Sequence, residues 1–247
     1  MLVTSQDNKR LKELRKLAAS RQARKREGVL FCEGDTLLKD AVTYRAPLKE
    51  VWFREGHEYP LPEGVVYNSL PDKLFDALSE VETPQNAIFL AEIPRNAEEK
   101  ACPEILLDGV ADPGNLGTVI RTAVAFDIPL FIGEGSADFT SPKVVRSAMG
   151  SLFRAKIRTG DTSDEVKRLR EAGIRVLSAT LGEKSRLLGG ETLKNTAIVI
   201  GNEANGVSEK VRAVSSGEII IPMKGDCESL NAAVAAAVFM WEMQKEA

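Results

Sequence analysis

Along residues 6–20 the apolar positions Leu11, Leu14, Leu17 and Ala18 recur at helical spacing with basic residues between them, which predicts an amphipathic helix. A short apolar run bounded by Gly28 and Gly34 predicts a strand, and residues 35–42 predict a helix with Asp35 as its N-cap. Strands at 49–53, 65–68 and 87–93 and a helix over 71–78 complete this first group. From Glu104 onward the pattern changes. Strands are predicted at 105–110, 130–132, 155–158, 175–179, 197–200 and 218–223, with helices between them, notably 116–126, 163–172 and 230–244. Largely apolar strands alternating with helices imply a mostly parallel sheet covered on both faces. Between the two groups, Pro94 to Pro103 is polar, proline-bounded and free of apolar periodicity, the composition of an interdomain linker. The expected organisation is a small α/β domain over 1–93, a linker over 94–103 and a larger α/β domain over 104–247.

Composition narrows the chemistry. The 247 residues are 43% hydrophobic, which permits a sizeable core. The longest nearly uncharged apolar stretch, Ala232 to Met240, is far short of the roughly 20 residues that span a bilayer, so no membrane association is expected. The first ten residues lack the apolar region of a signal peptide. Three cysteines without Cys-x-x-Cys spacing (Cys32, Cys102 and Cys227) suit a reduced cytoplasmic protein with no metal. The single histidine, His57, lies in a polar stretch without a nucleophile elbow. Multi-histidine metal sites are thereby excluded.

Net charge is −3, yet residues 1–30 hold nine Lys or Arg against three acids. A basic N-terminal helix on an acidic body suggests local phosphate binding, with Lys9, Arg10, Arg21 and Arg24 as candidate contacts. A solvated helix face accounts for the charge equally well. The same two readings hold for Lys143 and Arg146, which lie three residues apart in Lys143-Val-Val-Arg-Ser-Ala-Met-Gly150.

Three segments of the C-terminal half each follow an apolar run and precede or open a helix, where ligand-binding loops of α/β sheets sit. In Asn115-Leu-Gly-Thr-Val-Ile-Arg121, Asn115 is placed as an N-cap. Arg121 shares a helix face with Gly117 and Thr118. A cation so near the positive end of the helix gains nothing from the dipole, so it wants another reason, such as an anionic substrate, although an exposed, salt-bridged and inert Arg accounts for it as well. In Gly201-Asn-Glu-Ala-Asn-Gly206, glycines at both ends allow a sharp turn and close approach to a ligand, with Glu203 as an acceptor at mid-loop. In Pro222-Met-Lys-Gly-Asp-Cys-Glu-Ser-Leu-Asn231, Ser229 is placed to cap the helix over 230–244. Gly114-Asn-Leu-Gly117 is not the dinucleotide-binding G-x-G-x-x-G, which argues against a nicotinamide-dependent oxidoreductase.

In this order the three segments resemble the motifs of the SpoU (TrmH-type) ribose 2′-O-methyltransferases of the SPOUT superfamily. Lys143–Phe153 is similar to the family's stretch between the first two motifs. Residues 1–93, including Glu33-Gly34 and Ser79-Glu-Val-Glu-Thr-Pro-Gln85, resemble the small RNA-binding domain that many members carry. The resemblance implies a SPOUT domain with a deep trefoil knot, a homodimer and S-adenosylmethionine as cofactor. It implies cofactor contacts at Gly201, Ile221 and Leu230, with Thr180 and Met223 nearby. Asn115, Arg121, Glu203, Ser229 and Asn231 would form the reactive site. The last motif reads Ser229-Leu-Asn-Ala-Ala233 where the family more commonly has Ser-Leu-Asn-Val-Ser.

The expected reaction is methylation of an RNA ribose 2′-hydroxyl, with ribosomal RNA favoured through the appended N-terminal domain and transfer RNA as the alternative. A SPOUT enzyme acting on a base nitrogen and a non-catalytic RNA-binding factor are the other readings. Intact Arg121 and Glu203 argue against the latter.

Overall fold

The computed structural model describes residues 2–94, 101–182, 185–190, 192–224 and 229–245. The expected linker falls largely on residues 95–100, outside the described residues. The chain divides into two compact units. One comprises Met1–Pro94 with Asp138–Arg154, and the other Arg95–Ala137 with Ala155–Ala247.

In the first unit, α1 (Lys9–Ala19) buries the four apolar residues of its predicted stripe. Each leucine so buried contributes on the order of 2 kcal/mol. Asn8 caps α1, accepting from the N–H groups of Arg10 and Leu11. Ser20 adopts an extended conformation, ends α1 and caps a second helix, α2 (Arg21–Glu27), through its hydroxyl. The apolar pattern missed α2 because only Ala23 and Arg24 of its residues are buried. Gly28, at φ +64°, closes it.

There follow β1 (Val29–Glu33), α3 (Asp35–Thr43), β2 (Leu48–Arg54), β3 (Val66–Leu70), α4 (Asp72–Asp76) and β4 (Ala87–Glu92). The sheet order is β1-β4-β2-β3, with β4 antiparallel to both neighbours and β3 parallel to β2. Asp35 is not the expected N-cap. Gly34 takes that position, while the Asp35 carboxylate accepts from the backbone and side-chain amides of Asn86 at 3.1 and 2.9 Å.

The second unit begins with β5 (Ile105–Asp108), α5 (Pro113–Ala125) and β6 (Leu130–Gly133). The chain then crosses to the first unit for residues 138–154, where α6 (Pro142–Ala148) packs on β1 and a 3₁₀ turn at Met149–Arg154 packs on α3. Val144, Val145, Ala148 and Leu152 of this segment are all buried. The second unit resumes with β7 (Ile157–Gly160), α7 (Thr162–Glu171), β8 (Arg175–Ala179), β9 (Arg186–Leu187), β10 (Thr196–Gly201), α8 (Glu209–Val214), β11 (Gly217–Ile220) and α9 (Ala232–Gln244).

Its seven strands are ordered β7-β6-β5-β10-β8-β11-β9, and every pairing is parallel. Leu106, Val176, Ala197 and Val199 join Val166 and Leu169 of α7 and Val211 of α8 in one buried cluster. Helix α9 packs on β10 and against α5. From β5 the chain moves outward to β6 and β7, whereas β8 and β11 lie on the other side of β10. A crevice therefore opens beyond the carboxyl ends of the strands at this reversal of order.

Candidate active site

The loops leaving the carboxyl ends of β8, β10 and β11 enclose a cavity of about 500 Å³. All five residues expected to contact a cofactor line it: Thr180 after β8, Gly201 ending β10, Ile221 and Met223 after β11, and Leu230 before α9. Glu203 and Ser229 line it as well. The loop after β10 is closed on itself, with Asn202 and Gly206 exchanging backbone hydrogen bonds at 3.0 and 2.9 Å. A β-carbon on Gly201 would run into the backbone of Gly206 and Val207, so only glycine permits this closure. Gly206 supplies the left-handed turn at φ +67°. Asn202 braces the loop, accepting from the N–H groups of Ala204 and Asn205 and donating to Gly109 O at 2.8 Å.

Beside the cavity lies a chain of three side chains. Asn231 Nδ2 donates to Asn115 Oδ1 at 2.9 Å, and Asn115 Nδ2 donates to Glu203 Oε1 at 2.9 Å. The Glu203 carboxylate also accepts from the N–H groups of Ala111 and Asp112 at 3.2 and 3.3 Å. Partial burial pushes its pKa up, but the hydrogen bonds from Asn115 and the backbone outweigh that and hold it below the ordinary carboxylate value. A carboxylate so engaged is an orienting acceptor and a weakened base.

Two expected caps are corrected by this arrangement. Asp112, and not Asn115, caps α5, accepting from Asn115 N–H at 2.7 Å, with Pro113 in the first turn. Asn231, and not Ser229, caps α9, accepting from the N–H groups of Ala233 and Val234. Helix α5 begins three residues before the predicted start because Asp112 caps it ahead of the apolar run, and α9 begins two residues after because Asn231, inside the predicted span, takes the cap.

With this geometry in view, the comparisons with known proteins agree on one family. The SpoU rRNA Methylase family matches residues 103–241, and an MRM3-like substrate binding domain matches residues 8–88. The chain belongs to the SpoU family. This SpoU protein is 30% identical to the 23S rRNA (guanosine(2553)-2′-O)-methyltransferase RlmP of Bacillus subtilis, over 98% of each chain. It is 28% identical to the 23S rRNA (uridine(2479)-2′-O)-methyltransferase of Streptomyces viridochromogenes, over 97% of this chain and 90% of that one. Among solved structures, a TrmH-family protein from Porphyromonas gingivalis superposes with a TM-score of 0.86 at 31% identity, covering 98% of this chain and 100% of the other. The AdoMet-bound rRNA methyltransferase from Sinorhizobium meliloti gives 0.84 at 25% identity, covering 99% and 97%.

The remaining expected site residues of the SpoU protein divide sharply. Arg121, on α5, is exposed, lies outside the cavity lining and makes no hydrogen bond or ion pair among the described residues. Lys9, Arg21 and Lys143 are exposed, as phosphate contacts must be. Arg10 is paired with Glu13 at 2.7 Å and Glu50 at 3.1 Å. Arg24 corrects the expectation outright. It is 3% exposed, donating to Leu17 O, Ala18 O, Thr140 Oγ1 and the Asp138 carboxylate, so it stabilises the fold and offers nothing to RNA. Arg146 is also turned inward, with Nη1 shielded from solvent.

One part of the SpoU cavity was not read from the sequence. Arg212 lines it and donates to Glu218 Oε1 through Nε and Nη2 at 2.9 and 2.7 Å. The Arg212 hydrogen bond holds the Glu218 carboxyl below its ordinary pKa. At Gly182, also in the lining, a β-carbon would meet the end of the Glu218 side chain at 2.8 Å, so Glu218 would have to shift. A signal was present in Arg212-Ala-Val-Ser-Ser-Gly-Glu218, where opposite charges flank a tight turn into a strand.

Proposed function

We propose that this protein transfers a methyl group from S-adenosylmethionine to a ribose 2′-hydroxyl of ribosomal RNA. The observation that carries it is the single cavity at the carboxyl ends of β8, β10 and β11, which gathers Thr180, Gly201, Ile221, Met223 and Leu230 next to the linked Glu203, Asn115 and Asn231. A cavity of about 500 Å³ walled in part by Ile200, Ile219, Leu230 and Phe239, with polar residues among the lining, suits a nucleoside-sized ligand. The tight Gly201 turn, which a β-carbon would fill, fits the same group. When bound, the cofactor supplies an electrophilic sulfonium methyl.

The residues of this chain then have distinct tasks. Glu203 fixes Asn115, and Asn115 fixes Asn231, so both amides are held in one orientation. Ser229 lines the same cavity. Arg121 is a poor proton acceptor because a guanidinium has a pKa above about 12. Its task is to donate to the 2′-oxygen as negative charge develops there and to orient the adjoining phosphate. Since Glu203 already accepts three hydrogen bonds, the hydroxyl proton passes to a phosphate oxygen of the RNA.

Lys9, Arg21 and Lys143 serve the RNA backbone in this reading. The proposal includes the homodimer and trefoil knot that the family resemblance implies, and a cytoplasmic site of action beside the ribosomal RNA. Support for the dimer comes from α9, where Val234 and Trp241 are 50% and 57% exposed. No helix among the described residues is long and apolar enough to cross a membrane.

The test is transfer of labelled methyl to undermodified 23S rRNA and, separately, transfer RNA, followed by nucleoside mass spectrometry. A 2′-O-methylated nucleoside from 23S rRNA is expected. A methylated base, or transfer to tRNA alone, would overturn the assignment. Arg121→Ala is expected to slow transfer by roughly 100-fold, the usual cost of removing one preorganised donor. Near-normal turnover in Arg121→Lys would remove the guanidinium from the mechanism.

A further inference from the structure

The first unit contains a second cavity, of about 310 Å³, that the reaction does not use. Leu37 and Asp40 of α3 line it, with Val81 and Gln85 from the segment before β4, and Arg146 and Met149 from α6 and the turn after it. Two of its polar groups are already engaged. The Glu33 carboxylate accepts from the Ser79 hydroxyl and from Glu80 N–H. Gln85 Oε1 accepts from Asp35 N–H at 2.7 Å, which leaves its amide N–H groups to donate.

Arg146 is different. Its Nη1 is buried without a hydrogen-bond partner, and among the described residues its guanidinium forms no ion pair, although Glu33 and Asp40 share the cavity. The Asp40 carboxylate likewise accepts no hydrogen bond among the described residues. A buried guanidinium N–H left unpaired is costly, and such a group in a native fold calls for a partner.

The lining selects the chemistry of that partner. Two carboxylates against one guanidinium repel a phosphate, and the guanidinium repels a metal cation. What remains is a neutral ligand that both donates and accepts, flat enough to lie against Leu37, Val81 and Met149. A nucleobase meets this description. Guanine alone has two acceptors, O6 and N7, for a guanidinium and two donors, N1–H and the N2 amine, for a carboxylate.

We propose that this cavity receives an unstacked guanine of the RNA substrate, with Arg146 donating to O6 and N7 and Asp40 accepting from N1–H and N2–H. The proposal rests on RNA being the substrate and names a base that the first unit selects. Specific recognition of single-stranded RNA generally takes this form, with a splayed base bonded along its edges.

The experiment is fluorescence anisotropy of the full chain, without cofactor, against labelled octaribonucleotides: UUUGUUUU, its A, C and U counterparts, and the same octamer with inosine in place of guanosine. The guanosine octamer is expected to bind about tenfold more tightly than the adenosine one, within the range of a bidentate base contact. Inosine, which lacks the N2 amine, is expected to lose several-fold of that advantage. Arg146→Gln and Asp40→Asn should each reduce the preference to under twofold and leave the adenosine octamer unchanged. Equal affinity for all octamers, or a preference that survives both substitutions, overturns the proposal and leaves the cavity to water. Should the variants not fold, the inosine comparison on the unaltered chain decides alone. A guanosine preference without methyl transfer would remove the proposed activity and keep this site; transfer without the preference would do the reverse.

Discussion

Asn115 donates its side-chain amide to Glu203 Oε1 at 2.9 Å, joining the start of α5 to the loop after β10 across 88 residues of sequence. Because Asn115 also accepts from Asn231, its amide cannot flip without losing both bonds. Glu203 is therefore the anchor that sets the direction of the whole chain of amides.

Glu203→Gln should break that direction, since a carboxamide cannot accept at both oxygen positions. Hydrogen bonds to a charged group contribute roughly 1.5–3 kcal/mol, so single-turnover methyl transfer is expected to fall about 10- to 100-fold. Combined with Asn115→Ala the losses should be far from additive, because the two residues act through one bond. Additive losses would show that they act separately.

Gly201→Ala places a β-carbon against the backbone of Gly206 and Val207. No flexible side chain can yield there, so the loop must open. Affinity for S-adenosylhomocysteine, measured by calorimetry, is expected to drop at least about tenfold, equivalent to roughly 1.4 kcal/mol. An unchanged affinity would place the cofactor elsewhere.

Arg24→Ala removes four hydrogen-bonded partners and leaves the Asp138 carboxylate without its close cation. Breaking a buried pair in this way costs about 3–5 kcal/mol, which a urea titration would register as a lower midpoint. Arg21→Ala provides the contrast. Its exposed side chain approaches Asp138 only at 3.7 Å, so stability should move by less than about 0.5 kcal/mol. RNA affinity in that variant should lose about 0.7 from its salt slope if Arg21 meets a phosphate of a single strand.

Glu104 predicts a pH dependence of known sign. It is fully buried among Arg158 and Glu165, and burial raises its carboxyl to about 7 despite the opposing pull of Arg158. Between the ordinary value of 4.5 and about 7 the folded chain thus binds a proton that the unfolded chain does not. Stability from this group is full below 4.5 and is lost as pH rises towards 7. Glu165 acts in the opposite sense. Burial raises it, but the hydrogen bonds from Arg168 and Arg158 outweigh that, so its contribution is present above 4.5 and lost on acidification. Glu104→Gln should flatten the decline between pH 5 and 7 in chemical denaturation, and an unaltered slope would assign it to another group.

Much of the fold was legible in local pattern. Leu11, Leu14, Leu17 and Ala18 mark α1, and the apolar run over 175–179 coincides with β8. Such periods are set by which face of an element is buried, and neighbouring residues suffice to show them. Helices α2 and α8 escaped because they bury only Ala23 and Arg24, and only Val211, so no apolar period marks them. The candidate site was legible as three loops, since glycine and polar residues after an apolar strand mark a turn wherever it occurs.

By itself, then, the sequence determined the two α/β groups, the three loops that form the candidate site and the family to which their motifs belong. Only the tertiary structure decided how those parts meet. It linked Asn231 through Asn115 to Glu203, placed Arg212 in the lining of the cavity with Glu218 as its partner, and grouped residues 138–154 with the first unit. It also separated Arg24 from Arg21. In sequence both are bases in one charged run, but a guanidinium turned towards the carbonyls of Leu17 and Ala18 and the carboxylate of Asp138 is no longer a surface charge. Local pattern records the polarity of a side chain; the path of the chain supplies the partner that satisfies it.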